Sequence, residues 1–174
     1  TGLVPAAPAS ADLVQSLYLN DEAFLVRLTG VPDFDQRRAD ENGLEGLPND
    51  GAMYCAPTAV LNLGAYAANH GFPDLLEPRN WQSQANHPFV TDLLQVLGVI
   101  GGTDPEDGTG GDGLILQAEA LFALSGDFTV TADYANLLWS PKVSDLAQAV
   151  ATGGIVPFCH CWYAADGSLV FWGG

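Results

Sequence analysis

The chain has 174 residues, is 48% apolar and only 15% charged, which fits one globular domain with a full-sized core. Its formal net charge of -16, with Lys142 the only lysine, opposes binding to phosphate backbones and to anionic lipid, so nucleic-acid and membrane partners are not expected. No apolar run approaches the roughly 18 residues of a membrane span, and the acidic surface suits a cationic peptide or a divalent cation better.

Residues 1–11, rich in Ala and Pro, read as a lead-in without the pattern of a signal peptide. Residues 11–19 read as a short helix capped by Ser10, with Leu13, Val14 and Leu17 on its apolar side. Residues 23–28 alternate weakly and predict a strand that Thr29-Gly30-Val31-Pro32 ends. Residues 33–50 are acidic and lack apolar periodicity, so they predict a long surface loop. Residues 57–69 predict the clearest helix: Pro57 lies in its first turn, Val60, Leu61, Leu63 and Tyr66 form a stripe, and His70-Gly71 stops it.

Residues 72–88 are irregular, with Trp81 as an anchor, and residues 89–97 predict a second helix carrying Leu93, Leu94 and Val96. A glycine-rich acidic loop, 101–113, precedes a third helix, 114–124, that Asp112 is expected to cap and Ser125-Gly126 to end. Further on, 128–132 predict a strand and 144–151 a helix, and Asp166-Gly167 turns strand 155–163 back into 168–172. Helices first and strands last give an α+β class, helices packed beside a mostly antiparallel sheet.

The chemistry centres on Asn49-Asp50-Gly51-Ala52-Met53-Tyr54-Cys55-Ala56-Pro57-Thr58. A turn delivers one thiol to the start of a helix, where unpaired N–H groups and the helix dipole favour thiolate. A thiol so placed serves as a nucleophile when a base lies within reach. The alternative is a buried cysteine that packs as a small hydrophobe. Cys159 and Cys161 flank His160 and share one strand face, so a disulfide between them would be strained, and no zinc-like spacing is present. Upstream, Val31-Pro32-Asp33-Phe34-Asp35-Gln36 supplies an amide able to pair with the Cys55 N–H as an oxyanion cradle.

Val-Pro-x-x-x-Gln, a Gly-bearing loop, then Cys-Ala-Pro-Thr and an apolar helix resembles the bacteriocin-processing type of cysteine peptidase, within the papain-like superfamily. Its best-known members cut after double-glycine leader sequences. Gly102-Thr103-Asp104-Pro105 and Gly153-Gly154-Ile155-Val156-Pro157 follow in the matching order, so the resemblance spans residues 31–174. It implies a papain-like fold, a peptide or protein substrate and no cofactor, with Cys55 as nucleophile and Gln36 as oxyanion donor. The interval from Gln36 to Cys55 is longer than in typical papain-like enzymes. The resemblance also implies a catalytic histidine at about the point where the sequence stops, so the domain is expected to lack its last strands.

Among the internal histidines, His70 lies about 15 residues along the cysteine helix, on the order of 20 Å from its start, and His87 reads as a surface residue. His160, on a strand downstream of Cys55, is the internal candidate for the base; a core histidine between two cysteines is its other reading. The loop 101–112 offers hard oxygen ligands for weak divalent cation binding, though its spacing matches no EF-hand. A catalytically incomplete peptide-binding module and an acidic, calcium-stabilised interaction domain are the rival functions. The processed-looking ends and lysine-poor composition favour secretion or the cell surface.

Overall fold

The computed structural model describes residues 13–20, 23–28, 30–40, 43, 45–128, 130, 160–163 and 169–173. Strands β1 (Leu13–Asn20) and β2 (Ala23–Leu28) form one antiparallel hairpin. Helices α1 (Cys55–Asn69), α2 (His87–Ile100) and α3 (Gly111–Phe122) follow, and strands β3 (His160–Tyr163) and β4 (Leu169–Gly173) form a second antiparallel hairpin.

The expected papain-like α+β arrangement is not what these residues form. Among the described residues each strand pairs only within its own two-stranded hairpin, and no larger sheet exists for helices to pack beside. Among the described residues the core is helical. Its apolar stripes close on one another: Val60, Leu61 and Ala65 of α1 meet Val90, Leu94 and Leu97 of α2 and Leu121 of α3. Phe34, Leu47, Tyr54, Leu75 and Trp81 seal the rim from the connecting segments. Helical stripes of this width are satisfied by each other and need no sheet.

Helix α1 forms because Pro57 sits in a first turn whose N–H groups have no intrahelical partner, so its missing N–H costs nothing there. The run after it is rich in Ala and Leu, and the helix ends at His70, followed by Gly71 in a left-handed conformation (φ 111°). Gly64 brings α1 against α3; a Cβ there would lie 2.5 Å from a Leu121 methyl carbon. Asn69, at the end of α1, accepts from the Arg79 N–H at 3.1 Å and the Trp81 indole N–H at 3.2 Å. That fixes the irregular segment before α2. Arg79 then lies over the rings of Trp81 (5.1 Å) and Phe89 (4.3 Å) as a cation–π contact.

Several local expectations change. The helix expected over 11–19 is strand β1, because the ladder to β2 outweighs the local preference of a Leu-rich segment. Helix α2 begins at His87; Leu94 of the expected stripe is buried and Leu93 packs against the core, but Leu97 turns inward in place of Val96, which is 55% exposed. Gly110, not Asp112, is the N-cap of α3, and Asp112 falls in its first turn, where a carboxylate suits the helix dipole. Residues 128 and 130 of the strand expected over 128–132 are not in a strand, and 129, 131–132, the expected helix 144–151, the start of the expected strand 155–163 and the turn 166–167 lie outside the described residues.

Leu94 is fully buried at the centre of this packing. Leu94→Ala is expected to cost about 2–5 kcal/mol in urea unfolding. Val99→Ala on the opposite, 77% exposed face of the same helix should stay within about 0.5 kcal/mol.

Candidate functional site

Residues 33–50 read as a long surface loop in the sequence, yet three of their side chains are buried: Phe34, Arg38 and Leu47. The backbone N–H of Arg38 donates to Asp50 O at 2.9 Å, and the Leu47 N–H donates to Arg38 O at 2.7 Å. These bonds close a neck that joins residues 38, 47 and 50. The long interval between Gln36 and Cys55 is therefore short in space. Gln36 Nε2 donates to Gly51 O at 3.2 Å and to Ala52 O at 2.9 Å, within the turn that leads into Cys55.

That turn has unusual geometry. Asn49 (φ 50°), Asp50 (φ 51°) and Gly51 (φ 74°) are all left-handed. Side chains other than glycine disfavour that region, so three in succession need external support. Support comes from several directions. The Asn49 side-chain amide donates to Pro105 O in the α2–α3 loop at 2.9 Å. The buried ring of Tyr54 lies against Gly98 of α2, where a Cβ would come within 2.6 Å of it. Burial pushes the Tyr54 phenol above its ordinary pKa, which keeps the hydroxyl neutral. The Phe34 N–H donates to Asn62 Oδ1 on α1 at 3.1 Å.

Cys55 is the first residue of α1, half-buried and not in a disulfide. Helix geometry leaves its N–H and that of Ala56 without intrahelical acceptors, while Thr58 N–H makes the first helical bond, to Tyr54 O at 3.1 Å. Thr58 stands one turn along the same face as Cys55, and its buried hydroxyl has no hydrogen-bond partner among the described residues. The arrangement thus presents a thiol with free backbone donors beside it, on a turn whose peptide planes are fixed by Gln36. Such a site can hold a negative oxygen that forms next to sulfur.

Arg38 is the residue that the sequence reading missed. It is 6% exposed, and its guanidinium donates to Asp35 O (2.9 Å), His87 O (3.1 Å) and Thr91 Oγ1 (3.0 Å). It thereby ties the neck of the loop to the first turn of α2. Burial pulls its pKa below the ordinary arginine value, and the Asp35 carboxylate opposes that shift. The available signal was an arginine pair in an acidic segment of a chain with five basic residues. A cation retained there has a structural partner to find.

The histidines are distributed as follows. His70 is the C-cap of α1, with its ring stacked on Tyr66 (centroids 4.0 Å apart) and Nδ1 2.7 Å from Tyr66 O, at the end of the helix away from Cys55. His87 opens α2 rather than lying in a loop, half-buried, with its carbonyl taken by Arg38 and by Thr91 Oγ1 (2.9 Å). His160 opens β3, opposite Gly173. Cys161 follows it in that strand, and Cys159 lies outside the described residues.

The acidic loop 101–110 is closed on itself. Asp104 Oδ1 accepts from the N–H groups of Glu106 (2.7 Å) and Asp107 (2.9 Å), and these bonds hold its carboxyl below the usual range. Asp104 and Gly108 also pair as an isolated bridge. Among the described residues no three His, Cys, Asp or Glu side chains gather in a way that could hold a metal ion. No helix among them is long and apolar enough to cross a membrane.

Compared with protein-family models, curated proteins and solved structures, the chain matches none.

Proposed function

We propose that the protein is a thiol hydrolase acting on peptide bonds, with Cys55 as nucleophile. The observation that carries this reading is a free, half-buried thiol on the first residue of α1, where Gln36 restrains the turn before it. The resemblance of the Cys55 segment to bacteriocin-processing peptidases supports the same chemistry.

In the proposed reaction Sγ of Cys55 attacks the scissile carbonyl carbon while a histidine takes the thiol proton. The Cys55 N–H donates to the resulting oxyanion. The tetrahedral intermediate collapses as the C–N bond breaks, and the histidine returns its proton to the leaving amine. Water then hydrolyses the thioester with the same histidine as base. His160 is the candidate for that base within these 174 residues.

Alkylation tests the thiol first. Iodoacetamide at neutral pH should label Cys55 about tenfold faster in the native protein than in the urea-unfolded chain. Equal or slower native labelling overturns an activated nucleophile. Cleavage of a peptide bearing paired glycines, lost in Cys55→Ala and in His160→Ala, tests the hydrolase.

One observation favours a second reading, a peptide-binding module. The Gln36 amide, which an oxyanion cradle would use, donates instead to two backbone carbonyls. Peptide binding that persists in Cys55→Ala, with no turnover by the unaltered chain, would select this alternative.

A further inference from the structure

We infer that Gln36 is a positioning residue that locks the turn before Cys55, and that it is not the oxyanion donor. Its role in catalysis rests on the hydrolase reading above; the lock itself does not.

An amide nitrogen carries two hydrogens, and here it faces two carbonyl acceptors, Gly51 O and Ala52 O. The reversed amide would set its oxygen against both carbonyl oxygens, so the assignment of the nitrogen follows from the partners. Gly51 O also accepts from the Tyr54 N–H at 3.1 Å, and Tyr54 O in turn accepts from the Thr58 N–H. Gln36 is thus one hydrogen bond from the residue that caps α1. Any shift of the Gly51 carbonyl moves the start of the helix on which the thiol sits.

The turn cannot hold this shape alone. Asn49 and Asp50 are left-handed without being glycine, and only outside contacts over-determine such a conformation. Two of those contacts come from segments remote in sequence: Arg38 N–H to Asp50 O, and Asn49 Nδ2 to Pro105 O. Gln36 is the side chain that grips the exit of the turn, at the last left-handed residue, Gly51, and at Ala52 after it. Using it as an oxyanion donor would release at least one of these carbonyls at the moment of attack. The backbone N–H of Cys55 needs no such rearrangement.

The two roles separate by experiment because alkylation forms no oxyanion. Iodoacetamide reacts by displacement: the sulfur–carbon bond forms, iodide leaves, and the thiol proton passes to solvent. Gln36→Ala and the nearly isosteric Gln36→Glu, which removes both N–H donors, would be made in the full chain. If Gln36 is a lock, both variants change Cys55 alkylation by about fivefold or more. They also speed amide exchange at Tyr54 by about tenfold, the scale of one lost hydrogen bond, while amides in the middle of α2 keep wild-type protection. If Gln36 is an oxyanion donor, peptide turnover falls on the order of 10²–10³-fold with alkylation and exchange unchanged, and the proposal is overturned. Should no peptide be cleaved even by the unaltered chain, the hydrolase reading fails, and alkylation and exchange still decide the lock. Gln36→Glu serves if Gln36→Ala does not fold.

Discussion

Gly51→Ala is expected to destabilise the protein by about 3 kcal/mol or more and to disorganise the turn that carries Cys55. Two costs combine at this position. Gly51 has φ 74°, a conformation that costs an L-residue roughly 1–2 kcal/mol. An added Cβ would also lie 1.8 Å from the Gln36 backbone oxygen and 2.9 Å from its carbonyl carbon. A backbone atom cannot swing aside as a flexible side chain can, so the neck of the loop must open. Gly102→Ala provides the control. Gly102 has φ 60° but nothing within 4 Å of the added carbon, so that variant bears the conformational cost alone, about 1 kcal/mol. Urea unfolding of the two variants measures the difference. If Gly51→Ala were no worse than Gly102→Ala, the close contact between residues 36 and 51 would be refuted.

Arg38→Met is expected to cost about 3 kcal/mol for a different reason. The guanidinium joins Asp35 O, His87 O and Thr91 Oγ1. The Met side chain fills much of the same space without donating to any of them. Thr91 keeps its bond to His87 O, but Asp35 O loses a charged donor and the loop neck loses its tie to α2. Hydrogen bonds to charged groups contribute about 1.5–3 kcal/mol each, and an orphaned acceptor adds to the loss. Arg38→Lys should recover only part of this, since an ammonium cannot reproduce the planar fork that reaches both segments. Added salt should change the result little, because a buried cation is weakly screened. The reverse outcome is known for buried charges elsewhere, where an apolar replacement is neutral or stabilising. Finding it here would show that apolar packing alone holds the neck.

Both variants act on the same small region, and that region shows where the sequence was readable. The start of α1 was legible because Cys55-Ala56-Pro57 combines a thiol with a proline in a first helical turn, where the missing N–H costs nothing. Its end was legible in His70-Gly71, and the anchor role of Trp81 in an otherwise irregular segment was too. Strand β2 and the antiparallel pairing of β3 with β4 agree with the expected strands, and the Asp166-Gly167 turn itself lies outside the described residues. Strand β1 was misread because Leu-rich segments satisfy either period, and the nearby partner that decides between them is visible only once β2 is paired. In α2 Leu93 and Leu94 face the core as expected, and only Val96 was mistaken for Leu97, since both are apolar and packing selects one.

The architecture was misjudged for a related reason. Helices early and strands late imply a shared sheet only if the strands join, and among the described residues they pair as separate hairpins. The resemblance on which the papain-like fold rested comes from short motifs, the most specific of them around Cys55. Those motifs specify a local turn and a helix start; they do not specify how distant strands associate.

The sequence by itself determined the thiol at a helix start, the helical character of α1, α2 and α3, the acidic charge and the upstream amide. These follow from local chemistry: a proline's fixed φ, the helical period of apolar residues, and glycines that stop a helix. Only the tertiary structure decided that Gln36 reaches Gly51 and Ala52, that Arg38 is buried, and that three consecutive residues are held left-handed before Cys55. Each of these depends on contacts between residues far apart in the chain. A polar side chain has no periodicity that announces its partner, so its place is fixed only when the helices and loops close around it.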